Sequence, residues 1–238
     1  MKKIFMVAMS IFITSHFVFA HGAWIAQRWD QYAIVIGEGW QDNKYDPKQI
    51  SDFRSFTHDW KNGNAKLQAA KDHANVQFET DCAVISFICD YGYWSKNEEG
   101  KWVNAPMNKV KGATTGTHAI KSSVNYVGNA DTIKPIERLE YQIVPLTNPS
   151  ALSAGDTYKV QVLHNGEPIP FVEVIPNVTG YPERTVKADK NGIAVLTAEN
   201  DGLNVVGVEM TFDYKTKTEK ATCDKIFASL SYTIRDKK

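Results

Sequence analysis

The chain has 238 residues, with 27 basic and 27 acidic side chains, 43% hydrophobic and 11% aromatic content, 15 Gly and 9 Pro. It is too apolar and too weakly charged for disorder, and too poor in Gly and Pro for a fibrous repeat. Zero net charge argues against a nucleic-acid footprint, and the length accommodates one large β domain or two of about 100 residues each.

Residues 1–20 read as an export signal. Met1-Lys2-Lys3 is a basic start. The apolar run over 4–20 is short for a membrane span, which needs roughly 20 residues. Val18 and Ala20 place small residues at −3 and −1 of a cleavage point. No Cys follows that point, so a lipid anchor is not expected; an uncleaved anchor helix is the alternative. His16 is the one unusual residue in the run. Cleavage after Ala20 would remove two lysines and no acid, and would leave a mature, non-spanning protein in a bacterial periplasm.

The mature chain would then begin at His21. An N-terminal His carries an α-amine and an imidazole on one residue, with ordinary pKa values of about 7.7 and 6.5. Together they can close a chelate ring on Ni, Co, Cu or Zn. The bland reading is that His21 only happens to follow the cleavage point.

Beyond it the pattern is all-β. Nine short alternating or apolar runs recur, over 32–36, 83–88, 121–127, 140–144, 158–163, 171–175, 193–197, 205–212 and 227–234. Turn signals such as His164-Asn165-Gly166 and Asp189-Lys190-Asn191-Gly192 separate them. Strands at this spacing predict two β-sandwich halves, Ig-like or transthyretin-like. Two short helices are expected, over 47–53 and 65–72. No Gly-rich phosphate loop or nucleophile elbow occurs. The polar stretch Asp131–Pro135 suggests a boundary between residues 21–133 and 134–238. The first half holds all six Trp and four of the five mature His, so it is where a site is expected.

The second half resembles a known family. Ile136 to Pro149 (IERLEYQIVPLTNP), then Leu152 to Asp156, Val160 to Ile169 and Ala188 to Gly192, follow its pattern of strands and turns. His21-Gly22-Ala23-Trp24 and Tyr91-Gly92-Tyr93-Trp94-Ser95 in the first half are similar to further segments. The family is that of exported bacterial components of cobalt and nickel uptake, the NikK-like accessory proteins of nickel transporters. The resemblance implies a periplasmic location, a β architecture and a metal. Its best-marked parts concern turns rather than chemistry.

The remaining candidates are weighed residue by residue. His118 precedes a strand with fixed geometry, and His58 has Asp59 beside it as an acceptor. Glu38 is a candidate carboxylate at a strand end. His73 and His164 read as surface. No HxH, HxxxH or CxxC pair occurs, so a site must be assembled from distant segments, with His21 as anchor and His118, His58 and Glu38 as further ligands. Cys82 and Cys89 lie seven apart on one predicted strand, about 23 Å, so they cannot bridge each other. Cys223 can bridge one of them. The Trp residues, with Tyr91 and Tyr93, are core or rim residues or a stacking platform.

The sequence therefore predicts a non-enzymatic protein that captures Ni(II) or Co(II) and presents it to a membrane transporter. Two alternatives remain. One is a copper enzyme in which His21 and His118 supply three nitrogens to Cu(II). The other is an envelope-binding module without metal.

Overall fold

A computed structural model describes residues 21–216 and 218–234, so the predicted signal segment lies outside the described residues. In chain order the strands are β1 (Gly22–Arg28), β2 (Gln31–Gly37), β3 (Ile50–Thr57), β4 (Lys66–Ala69), β5 (Ala74–Gln77), β6 (Cys82–Lys96), β7 (Trp102–Val103) and β8 (Gly116–Tyr126). They continue as β9 (Tyr141–Pro145), β10 (Thr157–His164), β11 (Glu167–Pro168), β12 (Glu173–Val174), β13 (Val186–Lys187), β14 (Ile193–Thr197), β15 (Leu203–Asp213) and β16 (Cys223–Thr233). The fold is all-β, as the alternating pattern predicts. Each of the nine predicted runs contains or overlaps a strand.

Both predicted helices are corrected. Over 47–53 only Pro47–Gln49 forms a single 3-10 turn, closed by a reciprocal capping box between Asp46 and Gln49. From Ile50 the chain is β3, the edge strand of the central sheet. Over 65–72 the residues Lys66–Ala69 pair with β5. Tertiary pairing overrides helix propensity in so short a segment.

The strands stack in three layers. The central sheet runs β15-β16-β8-β6-β3. On β8 the odd-numbered residues Lys121, Ser123 and Asn125 face one side and the even-numbered Ser122, Val124 and Tyr126 the other, as pleating requires. The first face packs against sheet β1-β2-β5-β4. There Ile85, Phe87 and Cys89 of β6 meet Ala23, Ile25, Ile34 and Ile36. The second face packs against sheet β9-β10-β14, where Val84, Val124, Ile226 and Leu230 meet Tyr141, Ile143 and Val160.

β16 pairs with β8 in parallel, Phe227 standing opposite Lys121 and Ser229 opposite Ser123. Strands from both sides of residue 134 thus share one hydrogen-bonded sheet.

Buried polar residues lock the first interface. Asn125 Oδ1 accepts from the Ile25 backbone N–H at 2.8 Å and from Ser231 Oγ at 2.7 Å. Its Nδ2 donates to Ile85 O at 3.1 Å. Ser229 Oγ donates to Ala23 O. Buried polar groups are tolerated at this depth because each has a partner.

Candidate functional site

The β1–β2 hairpin ends on the pair Gly22 and Gly37, which leaves His21 beside Glu38 by antiparallel register. Past that pair the chain folds back at once. Gln41 N donates to Glu38 O at 2.9 Å, and Gly39 takes a φ of +56° within the turn. A Cβ on Gly37 would sit 2.2 Å from Gln41 O, so only glycine lets the turn close on the hairpin. The turn is also tied to the neighbouring loop, since Gly39 N donates to Val178 O at 2.9 Å.

This turn carries the Gln41 amide to the His21 ring, Oε1 lying 3.1 Å from Nε2. An amide oxygen only accepts, so the proton of the neutral imidazole sits on Nε2 and Nδ1 is left as a bare donor atom. Glu38 adds a carboxylate at the same end, with Oε2 buried and without a hydrogen-bond partner among the described residues.

Beneath the hairpin end lies a buried cation. Lys121 is 1% exposed and faces the β1–β2 layer. Cys89 stands opposite it across β6–β8, and its Nζ lies 5.6 Å from the Tyr91 ring. Burial lowers its pKa to about 8, against the opposing pull of Cys89, Glu209 and Glu38. Glu209 itself pairs with Lys225 at 2.6 Å. In the sequence its one mark is a Lys among small and apolar residues of a strand-like run.

The other two predicted ligands go elsewhere. His118 lies on the opposite face of the central sheet, toward the β9–β10 layer. A bulge at Tyr91 re-aims the β6 strand between Asp90 and Gly92. Asp90 Oδ1 then stands 2.9 Å from His118 Nε2, Asp224 Oδ1 stands 3.3 Å from its Nδ1, and Tyr93 stacks on the ring at 4.5 Å. Tyr214 donates to the same Asp224 oxygen at 2.5 Å. Both ring nitrogens are therefore engaged.

His58 sits past the end of β3, where Asp131 lies 2.9 Å from its Nδ1 and raises its pKa. Thr57 pairs with Cys82 and His118 with Tyr93, so the two histidines stand roughly 30 Å or more apart along β6 at the usual rise. They cannot share an ion. The predicted set of four thus divides into His21 with Glu38, His118 alone and His58 alone. Among the described residues no group of three or more His, Cys, Asp and Glu side chains is gathered to hold a metal.

The cysteine expectation is half met. Cys82 and Cys89 do lie on one straight stretch of β6 and do not bridge. Cys223 bridges neither, and all three thiols are free and buried. Cys89 shares its ladder position with Lys121 and Phe227, four residues along β16 from Cys223, far beyond the ~7 Å that a bridge allows. Burial pushes the Cys82 thiol to about 11 and Cys89 to about 12, and it raises Cys223 as well. Trp29 and Trp40 are 97% and 93% exposed, whereas Trp24 is buried, so the tryptophans form no single platform.

Among the described residues no helix is long and apolar enough to cross a membrane. Residues 18–211 match the family described as Domain of unknown function (DUF4198), and the chain belongs to it. An uncharacterized protein of Haemophilus influenzae is 23% identical over 158 residues, which span 65% of this chain and 66% of that protein. No solved structure matches the chain.

Proposed function

With membership of the DUF4198 family as the premise, we propose that this is an exported protein that captures a transition-metal ion, Ni(II) or Co(II), at His21 and presents it to a membrane transporter. The observation that carries the reading is the contact between Gln41 and His21. Metal-binding histidines are commonly oriented by an acceptor on the second ring nitrogen, which fixes the tautomer and frees the first. Gln41 supplies that acceptor. Cleavage after Ala20 would supply the α-amine, and Glu38 a carboxylate. The resulting set of amine, Nδ1 and carboxylate oxygen suits Ni(II) and Co(II) and leaves positions open for exchange, as delivery requires.

The copper-enzyme alternative loses its third nitrogen, because His118 faces the other layer with both ring nitrogens engaged. The test is native mass spectrometry of the protein purified from the periplasm and titrated with Ni, Co, Cu and Zn. A second sample carries one extra Gly before His21, which converts the α-amine into an amide. One tightly held Ni or Co, lost in the extended sample, is the expected result. No bound metal in the micromolar range, or equal binding in both samples, would overturn it. Tight binding of Cu alone, with redox cycling, would move the protein to the copper reading.

A further inference from the structure

A second site lies at the other end of the central sheet. A cavity of about 770 Å³ opens between the edge strand β3, the loop over 134–139 and the β10–β11 hairpin, a size typical of small-molecule sites. Its aromatic wall is Phe56 and Trp60, with ring centroids 5.4 Å apart and tilted by 47°. Trp60 Nε1 donates to Thr132 O at 2.8 Å, so the indole offers its face and not its N–H.

The rim is cationic. Arg54, Lys134 and Arg138 line the cavity with a single carboxylate, Glu137. Arg54 is tied by Asp52 at 2.6 Å and by Glu137 O at 2.5 Å, yet its buried Nε–H has no acceptor among the described residues. A buried donor left unpaired is rare and calls for a partner. Lys134 Nζ lies 4.9 Å over the Trp60 ring, and among the described residues no carboxylate pairs with it or with Arg138.

Turns and a bulge shape the backbone around the cavity. Among the described residues six non-glycine residues have positive φ, and four stand here: Trp60 at 66°, Arg138 at 61° and Asn165 at 51° line the cavity, and Asp52 at 46° holds Arg54. Asp52 falls at a register shift of β3 that turns Arg54 toward the cavity. Trp60 takes the left-handed position that closes a three-residue hairpin loop, with Thr57 N donating to Lys61 O at 3.0 Å and Trp60 N to Thr57 O at 2.9 Å, and this turn carries its indole to the cavity wall.

We propose that this cavity binds an acidic saccharide, a uronic acid or a related carboxylated sugar. The open corner of Phe56 and Trp60 suits the C–H face of a pyranose; a flat base would favour a parallel slot. On binding, the Lys134 ammonium exchanges its ring contact for the sugar carboxylate, which Arg138 also reaches, and a hydroxyl accepts from the Arg54 Nε–H. The site is independent of His21 and of any metal.

Isothermal titration of the full mature protein with galacturonate and glucuronate tests this, with glucose and inorganic phosphate as controls. Saturable uronate binding is expected, with glucose weaker by about tenfold or more. Lys134→Gln should weaken it. Arg138→Gly should weaken it too while leaving the thermal midpoint equal or higher, because glycine accepts the positive φ. That pairing separates a binding role from a folding defect. No uronate binding at millimolar concentration, equal binding of glucose, or unchanged binding in both variants would overturn the proposal. Phosphate binding as tight as uronate would overturn the saccharide assignment.

Discussion

Lys121 and Cys89 stand directly opposite each other across β6 and β8, both buried beneath the β1–β2 layer. A buried ammonium beside a neutral thiol is costly, and the cost depends on pH. The folded pKa of Lys121, about 8, lies below its ordinary 10.5. Between those values the unfolded chain binds the extra proton, so this residue's contribution to stability rises with pH. Cys89 acts in the opposite sense above its ordinary 9.0, since burial holds its folded thiol protonated to about 12. Urea denaturation of wild type and Lys121→Met isolates the lysine. At pH 7 the variant should be more stable by about 1–4 kcal/mol. That gap should narrow by about 1.4 kcal/mol per pH unit above pH 8. A constant gap from pH 7 to 10 would show that Lys121 keeps its ordinary pKa.

The hydrogen bond from His21 to Gln41 should be worth about 10–100-fold in metal affinity, the usual size of such an outer contact. Competition for Ni(II) against a chromophoric chelator, with Gln41→Ala, measures it. Glu38→Gln should weaken binding separately, because its carboxylate belongs to the donor set and not to the ring. Affinity unchanged in both variants would leave the hairpin end without a metal role.

Gly207 lies where β15 meets the β1 layer. A Cβ there would meet Phe227 Cζ at 2.5 Å and Val178 Cγ2 at 2.7 Å. Neither neighbour is a flexible chain end, so Gly207→Ala should destabilise by about 1–3 kcal/mol through overpacking. Chemical denaturation reads this directly.

Asn125 is the hub between two layers. Asn125→Ala strands the Ile25 N–H and the Ile85 carbonyl without their side-chain partner, and each unpaired buried group costs about 1–3 kcal/mol. Thermal unfolding should show a loss larger than that of Gly207→Ala. Equal or smaller loss would mean that water replaces the amide.

All three thiols are buried with raised pKa values. A thiol-reactive disulfide reagent at pH 8 should therefore label none of them in the native protein and all three after denaturation. Rapid native labelling of Cys223, the least enclosed of the three, would reveal local opening of the β15–β16 end.

Strands with a local alternation were legible, and so were turns whose chemistry is local. Asn165-Gly166 forms its hairpin with φ of 51° and 83°, as the pair predicts. β3, with eight residues, and β4, with four, carry no period-two alternation, and their strand character comes from neighbours that no window contains. The candidate site was half legible. His21 and Glu38 lie close in sequence and close in the fold, joined by one hairpin. Gln41 carries no local signature, being a glutamine in a turn. For His118, strand parity says that it faces a different side from Lys121 but not which side meets β1.

By itself the sequence determined the β class, the turn positions and the residue types brought to each end of the chain, because these depend on contacts within a few residues. Only the tertiary structure decided that β8 and β16 pair in parallel, that three layers form, and which face each histidine sees. Those choices join residues about a hundred positions apart, as Ser123 with Ser229. They are set by burial and by satisfying polar groups between layers, which no local pattern encodes.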